Sequence, residues 1–326
     1  MDLKKSSFHI WIIVLGFLFV GNSLAWSGTV TNQTTMSQYT DLQEAINAAS
    51  SEDVLLLEGT FFGSFQIIKN SEFLLTLKGT SETERAIIDA QQANRVFEIV
   101  GINTPGNKTL SVILKNLVLQ NGLAKEESSN GPNGGCILNA LTNLSLSSVL
   151  IQNNHADLGV GGGIANLSSI LTIENSTFTR NGAIQGGAIC NFNTEATISN
   201  TLINENTATD AGGGIVSNIS INAISNSIIK RNHAPFGGGI FSNFSIMTIN
   251  TTKIHYNTAG IDGGGLYNYN GATATISSST IKRNQAGVNN SEGTGGGIYN
   301  DGGYYLLTDT TVKRNTPDDI YPPPEL

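Results

Sequence analysis

Cysteine is nearly missing from this chain. Two in 326 residues, Cys136 and Cys190, exclude a disulfide framework as the source of its stability. Charge is sparse as well, at 13% of residues, and the balance is acidic at −8. A chain of that sign is a poor candidate for nucleic-acid binding. His155, His233 and His255 are scattered among different segments, so neither a metal site nor a cofactor is expected. Beyond the first 25 residues no apolar run is long enough to span a bilayer. What fills the space is 37 glycines together with abundant Asn, Ser, Thr and Ile. Few charges and many β-branched residues point to strands separated by tight turns.

The beginning of the chain reads differently. Lys4 and Lys5 precede the apolar run Ile10 to Val20, and Ser23 to Ala25 offers small residues for cleavage. That order describes a secretory signal peptide over 1–25. The expected product is exported, whether secreted, periplasmic or on the outer surface, with no transmembrane segment.

An internal repeat dominates the rest. An aliphatic residue follows each glycine-rich turn: Ile137, Ile164, Ile189, Ile215, Ile240, Leu266 and Ile298. An asparagine closes each unit: Asn154, Asn181, Asn206, Asn232, Asn257, Asn284 and Asn315. Anchor and asparagine are 17 residues apart in six units and 18 in the seventh, so length varies only between the asparagine and the next anchor. Eight before the asparagine stand Leu146, Ile173, Ile198, Ile224, Ile249, Ile276 and Leu307. Three before it stand Ile151, Phe178, Ile203, Ile229, Ile254, Ile281 and Val312. Polar residues alternate with these aliphatics, which is the period of a strand.

One residue type recurring once per unit means that the units stack. About three short strands per unit make one coil of an all-β, right-handed parallel β-helix, because parallel crossovers are right-handed. A lone coil cannot offset its ordering entropy, so stacking is required. The glycines are expected to supply positive φ at a tight turn. The closing asparagines are expected in or near the left-handed region too, with their amides bonded from coil to coil.

Thr40 to Ser50 places Leu42, Ala45, Ile46 and Ala49 on one helical face and predicts a capping helix at the N-terminal end. The chain thus divides into a cap at 26–52, irregular early coils at 53–121, regular repeats at 122–315 and a proline-rich tail at 316–326. Strands are expected near Leu74–Leu77, Ala86–Ile88 and Val96–Ile99.

These residues carry two resemblances. The N-terminal helix and early strands resemble the pectin-lyase-like superfamily of right-handed β-helices. The repeats resemble those of chlamydial-type polymorphic outer membrane proteins, whose motifs are GGA[ILV] and FxxN. Each motif occurs once in full, as Gly186-Gly187-Ala188-Ile189 and as Phe178 to Asn181, and in relaxed form in most other units. The second resemblance implies an exported, adhesion-type protein that binds a glycan or a host or cell-surface ligand. The first implies the alternative, a lyase or hydrolase acting on acidic polysaccharide.

Catalysis of that kind needs carboxyl groups about 5–9.5 Å apart. Glu174 stands alone in its column, Glu195 has isoleucine neighbours, and Glu205 lies beside Arg180 and Arg231 as an ion-pair partner. Asp157, Asp210, Asp262 and Glu292 fall in variable loops, and the early loops with Glu82, Glu84, Arg85 and Asp89 remain the place for a site. No catalytic residue is assigned.

Two surface features are binding candidates. Arg180, Lys230, Arg231, Lys282, Arg283, Lys313 and Arg314 lie one or two positions before the closing asparagine and form a basic stripe. They are either solvated turn residues that resist edge pairing or a track for an anionic polymer. Phe241, Tyr267 and Tyr299 each follow an anchor, and so form an outward aromatic column on adjacent coils. It serves either as a sugar-stacking strip or as self-stacking reinforcement. The two cysteines lie two coils apart, about 10 Å along the axis, beyond the roughly 7 Å reach of a disulfide. Both are expected to be free thiols.

Overall fold

Inward-facing aliphatics bend each repeat around a common axis. The unit that starts at Ile164 runs through strands Ile164–Leu167, Ile170–Glu174, Thr177–Thr179 and Gly182–Gln185 before the next starts at Ile189. In this computed structural model, which describes residues 28–70, 72–102, 110–128, 130–288 and 292–322, equivalent strands of successive units pair side by side in register. The proposed signal segment, 1–25, lies outside the described residues.

The pairings build three long sheets. A broad sheet of 12 strands includes Ile170–Glu174, a narrow sheet of 10 includes Thr177–Thr179, and an anchor sheet of 10 includes Ile189–Phe192. Pairing is parallel throughout, apart from the antiparallel strands Thr29–Asn32 and Gln38–Tyr39 at the start of the broad sheet. The result is a right-handed-type parallel β-solenoid of about nine turns.

A fourth sheet was not legible in the repeat. Strands His155–Val160, Gly182–Gln185, Thr207–Ala211, His233–Phe236 and Thr258–Asp262 form a five-stranded side sheet where three strands per unit were expected. Each of its pairings contains a register shift. A bulge breaks the alternation of two, which hides such strands from a periodicity argument.

The helix spans Leu42–Ala48, with Asp41 as its N-cap accepting a bond from the Glu44 amide at 2.8 Å. Leu42, Ala45 and Ile46 are buried and join the main core. Strands Leu74–Gly79, Ala86–Asp89 and Phe97–Ile102 overlap the segments expected from sequence.

All seven anchors are fully buried, and Ile173, Ile198, Ile249, Ile276, Phe178, Ile203 and Ile254 stack beneath them in continuous columns. Burying each such side chain contributes roughly 1.5–3 kcal/mol. Corners separate the faces, and each has a residue of positive φ. At the anchor turn it is the first glycine, as in Gly186 at 66°. The second glycine answers a different need: a Cβ on Gly187 would collide with the Gly213 carbonyl oxygen of the next coil.

The corner before the closing asparagine departs from expectation. The left-handed residue is the one preceding it: Asn153, Arg180, Glu205, Arg231, Tyr256, Arg283 and Arg314 have φ between 52° and 59°. The asparagine itself turns inward. From Asn154 to Asn284, each Nδ2 donates to the Oδ1 of the next coil's asparagine at 2.9–3.0 Å. That oxygen also accepts from the backbone amide of the asparagine before it. The second Nδ2 hydrogen reaches a carbonyl of the preceding coil, as from Asn206 to Phe178 at 3.1 Å.

Two more corners use hydroxyls in the same way. Ser176, Thr201, Ser227, Thr252 and Ser279 each donate to the carbonyl two residues back and accept an amide from the coil before. Ser169, Ser220 and Ser245 repeat the pattern at the opposite corner, where Thr194 donates to the Phe192 carbonyl.

Asn232 occupies the middle of the amide column, so Asn232→Ala removes the acceptor shared by the Asn206 amide and one Asn206 Nδ2 hydrogen, together with the Nδ2 bonds to the Ile203 carbonyl and Asn257 Oδ1. Each unpaired buried group costs about 1–3 kcal/mol. The urea midpoint of this variant is expected to fall sharply, whereas Asn250→Ala, at an exposed strand position, should leave it nearly unchanged.

Candidate functional site

The narrow sheet displays the basic stripe. Its outward third positions run Asn204, Lys230, His255, Lys282 and Lys313 in register. Beside this column lie the left-handed corner residues Arg231, Tyr256, Arg283 and Arg314, and Lys253 begins the strand between. Successive rungs are about 4.8 Å apart. Arg180 belongs to the same corner but is engaged, 3.5 Å from Glu205. Among the described residues, no carboxylate lies within 4 Å of Lys230, Arg231, Lys253, Lys282, Arg283, Lys313 or Arg314.

The middle of this face is organised by two rings. Arg283 donates to the Tyr256 hydroxyl and lies over its ring at 5.5 Å, and His255 packs on Tyr256 with centroids 5.1 Å apart. Burial, followed by the charges of Lys230, Lys282, Lys253 and Arg231, holds His255 below the usual imidazole range. Its Nδ1 is buried without a hydrogen-bond partner.

The early coils carry several clefts. At the other end of the narrow sheet, Thr29, Glu58, Gly59, Thr60, Glu84, Arg85 and Ile87 line about 440 Å³. Asp89 belongs elsewhere: it accepts from Gln120 Nε2 at 2.8 Å and Asn121 Nδ2 at 2.9 Å. Glu82 is not in the lining.

A second cleft of about 480 Å³ is lined by Gln43, Asn47, Ser64, Gln66, Ile68 and Asn94. Behind it Gln66 Nε2 donates to the buried Glu98, which lies 3.7 Å from the buried Arg95. Sequence reading passed over this pair. Its signal was two opposite charges three residues apart in the otherwise apolar stretch RVFEIV.

No neighbouring carboxylates occur on the broad sheet, where Glu174 stands between Ser147 and Ser199, and Glu195 between Ile170 and Ile221. Among the described residues, no three His, Cys, Asp or Glu side chains converge as metal ligands. No helix there is long and apolar enough to cross a membrane.

The aromatic column differs from an open strip. Phe241, Tyr267 and Tyr299 are in register, with centroids 5.2 and 4.7 Å apart, but Tyr267 is only 7% exposed. The side sheet folds over this flank: Phe236 meets Tyr267 edge-on at 5.7 Å, and Phe236 and Phe241 pack against Cys190, Ala211 and Val216. Phe236, Phe241, Tyr267, Tyr269 and Asp301 leave a cleft of about 250 Å³. The Tyr267 hydroxyl is held well above its ordinary pKa by burial and then by Asp301, its acceptor at 3.4 Å.

Fold and surface together define a parallel β-solenoid with a cationic face. Solved structures similar to it include a pectate lyase, Pel9A, at a TM-score of 0.46 and 12% identity, over 86% of this chain and 72% of that one. Another is the A-module of the mannuronan C-5 epimerase AlgE6 of Azotobacter vinelandii, at 0.41 and 14%, over 85% and 91%. The ORF18 protein of Geobacillus virus E2 follows at 0.36 and 12%, over 83% and 58%. These similarities concern the coiled architecture. No family model and no curated protein matches the sequence, so the likeness to outer-membrane-protein repeats rests on the motifs alone.

Both cysteines are free and buried. Cys136 lies in the main core and Cys190 under the side sheet, and burial pushes the Cys190 thiol up to about 12. An aromatic disulfide reagent at pH 8 is expected to label neither in the native protein and both after denaturation without reductant. Fewer than two reactive thiols in the denatured chain would contradict this assignment.

Proposed function

We propose that this protein is an exported, non-catalytic, adhesin-like binder that holds an acidic polysaccharide along its narrow face. The observation that carries the reading is the row of seven cations on four successive coils, none within 4 Å of a carboxylate among the described residues. Gathering like charges on the outside of an otherwise acidic molecule costs self-repulsion, which a bound polyanion relieves. Positive charge on successive rungs at about 4.8 Å suits a chain with one carboxylate per sugar. Duplex nucleic acid presents a phosphate every 3.4 Å or so per strand, a poorer match.

His255 adds a pH dependence. With its pKa depressed by burial and then by four neighbouring cations, it is neutral near pH 7, and a bound anion that offsets those cations favours its protonation. Binding should therefore tighten as pH falls toward the imidazole range. The GGA[ILV] and FxxN motifs support display outside the cell, and helix Leu42–Ala48 would serve as the N-terminal cap of the stack.

A second reading has one observation behind it. Glu58, Glu84 and Arg85 share a cleft on the same sheet, an arrangement open to a polysaccharide lyase or hydrolase.

The same polymer tests both. On an immobilised polyuronate column the protein is expected to bind at low salt and elute as ionic strength screens its charges. The combined variant Lys230→Gln, Lys282→Gln, Arg283→Asn and Lys313→Gln should pass through unretained. Unchanged retention would sink the binding reading, and release of unsaturated or reducing ends that vanishes in Glu84→Gln would replace it with the enzymatic one.

A further inference from the structure

We propose that the cleft enclosed by Phe236, Phe241, Tyr267, Tyr269 and Asp301 binds a small quaternary ammonium cation of the choline type. The walls come from three successive coils and the side sheet: strands His233–Phe236, Ile240–Asn243, Leu266–Tyr269 and Ile298–Asp301. This assignment is independent of the cationic face, which occupies a different sheet.

Ring geometry decides between ligand classes. A sugar platform needs one flat, open aromatic face. Here Phe236 and Tyr267 stand at 87° to each other, Tyr267 and Tyr269 at 75°, and Phe241 is tilted 45° from Tyr269. Steeply inclined rings make a concave cage. Their faces present negative π-density from several directions, which attracts a cation.

Charge agrees with shape. Asp301 completes the lining and supplies a carboxylate at its edge; burial first, and then Asp301 and Asp262, disfavour ionisation of Tyr267 and Tyr299. None of the protein's own cations uses these rings: the cation–ring contacts among the described residues are Lys69 on Phe73 and Arg283 on Tyr256. A volume of about 250 Å³ is below the roughly 300–1,000 Å³ of clefts for drug-sized ligands. A trimethylammonium group fits that space. The two carboxylates argue against an anionic group attached nearby, which favours free choline over a phosphocholine headgroup.

The experiment is calorimetric titration of the full chain with choline, with phosphocholine, and with the neutral isostere in which a tert-butyl group replaces trimethylammonium. Shape and apolar area are alike in choline and isostere, so the difference reads the charge. Choline is expected to bind about tenfold more tightly than the isostere. Its affinity should fall several-fold in Asp301→Asn and disappear in Tyr269→Ala. Equal affinity for choline and isostere, tighter binding of phosphocholine than of choline, or no binding of choline would each overturn the proposal. The wild-type comparison carries the test even where a variant folds poorly.

Discussion

Register between neighbouring coils is the constraint on which this molecule rests. Strands pair in parallel at a fixed spacing, and the corners hold that alignment with buried side-chain bonds that reach from one rung to the next. Sliding a coil by one residue would turn every anchor outward and leave an entire column of amides without acceptors. The two penalties act together. The aliphatic columns tolerate a change of shape better than a change of position, whereas the Asn column tolerates neither.

Because the interior is settled by repetition, function is left to whatever projects from it. An outward residue on one coil has a fixed neighbour on the next, so a surface motif is a column rather than a sequence. On the narrow sheet that rule sets cations in rows, and on the flank under the side sheet it brings aromatic rings into contact. The cationic row stays open because three-residue strands leave nothing to fold over it. The aromatic row is partly roofed because the adjacent strands, such as Thr258–Asp262, are longer and bulged.

How much of this could be read from residues alone follows from the same physics. Isoleucines such as Ile189 and Ile203 announce themselves, since burial at a constant spacing imposes one residue type. The helix at Leu42–Ala48 was legible from a single apolar face. The side sheet was not, because its register shifts remove alternation between Ala183 and Gln185 and between Ala208 and Ala211. A second amide column, Asn139, Asn166 and Asn191, passed unnoticed because Ser217 and Ser242 interrupt it. The aromatic cleft could not be foreseen either, since Phe236 and Asp301 are 65 positions apart and meet only through stacking. Glu98 and Arg95 were visible as charges, but their burial belongs to the tertiary structure.

The column of closing asparagines also has a direction. In each member the oxygen faces the N-terminal end and one amide hydrogen the C-terminal end, so these amide bonds align along the axis as peptide dipoles do in a helix. Its positive end meets a carboxylate: Asp319 Oδ1 accepts both from the Asn315 backbone amide and from its Nδ2 at 2.9 Å. Asp319 receives these bonds, but a carboxylate oxygen, unlike an amide, has no hydrogen to pass onward. It is a terminator, and a rod extended by further rungs would first need an amide in its place.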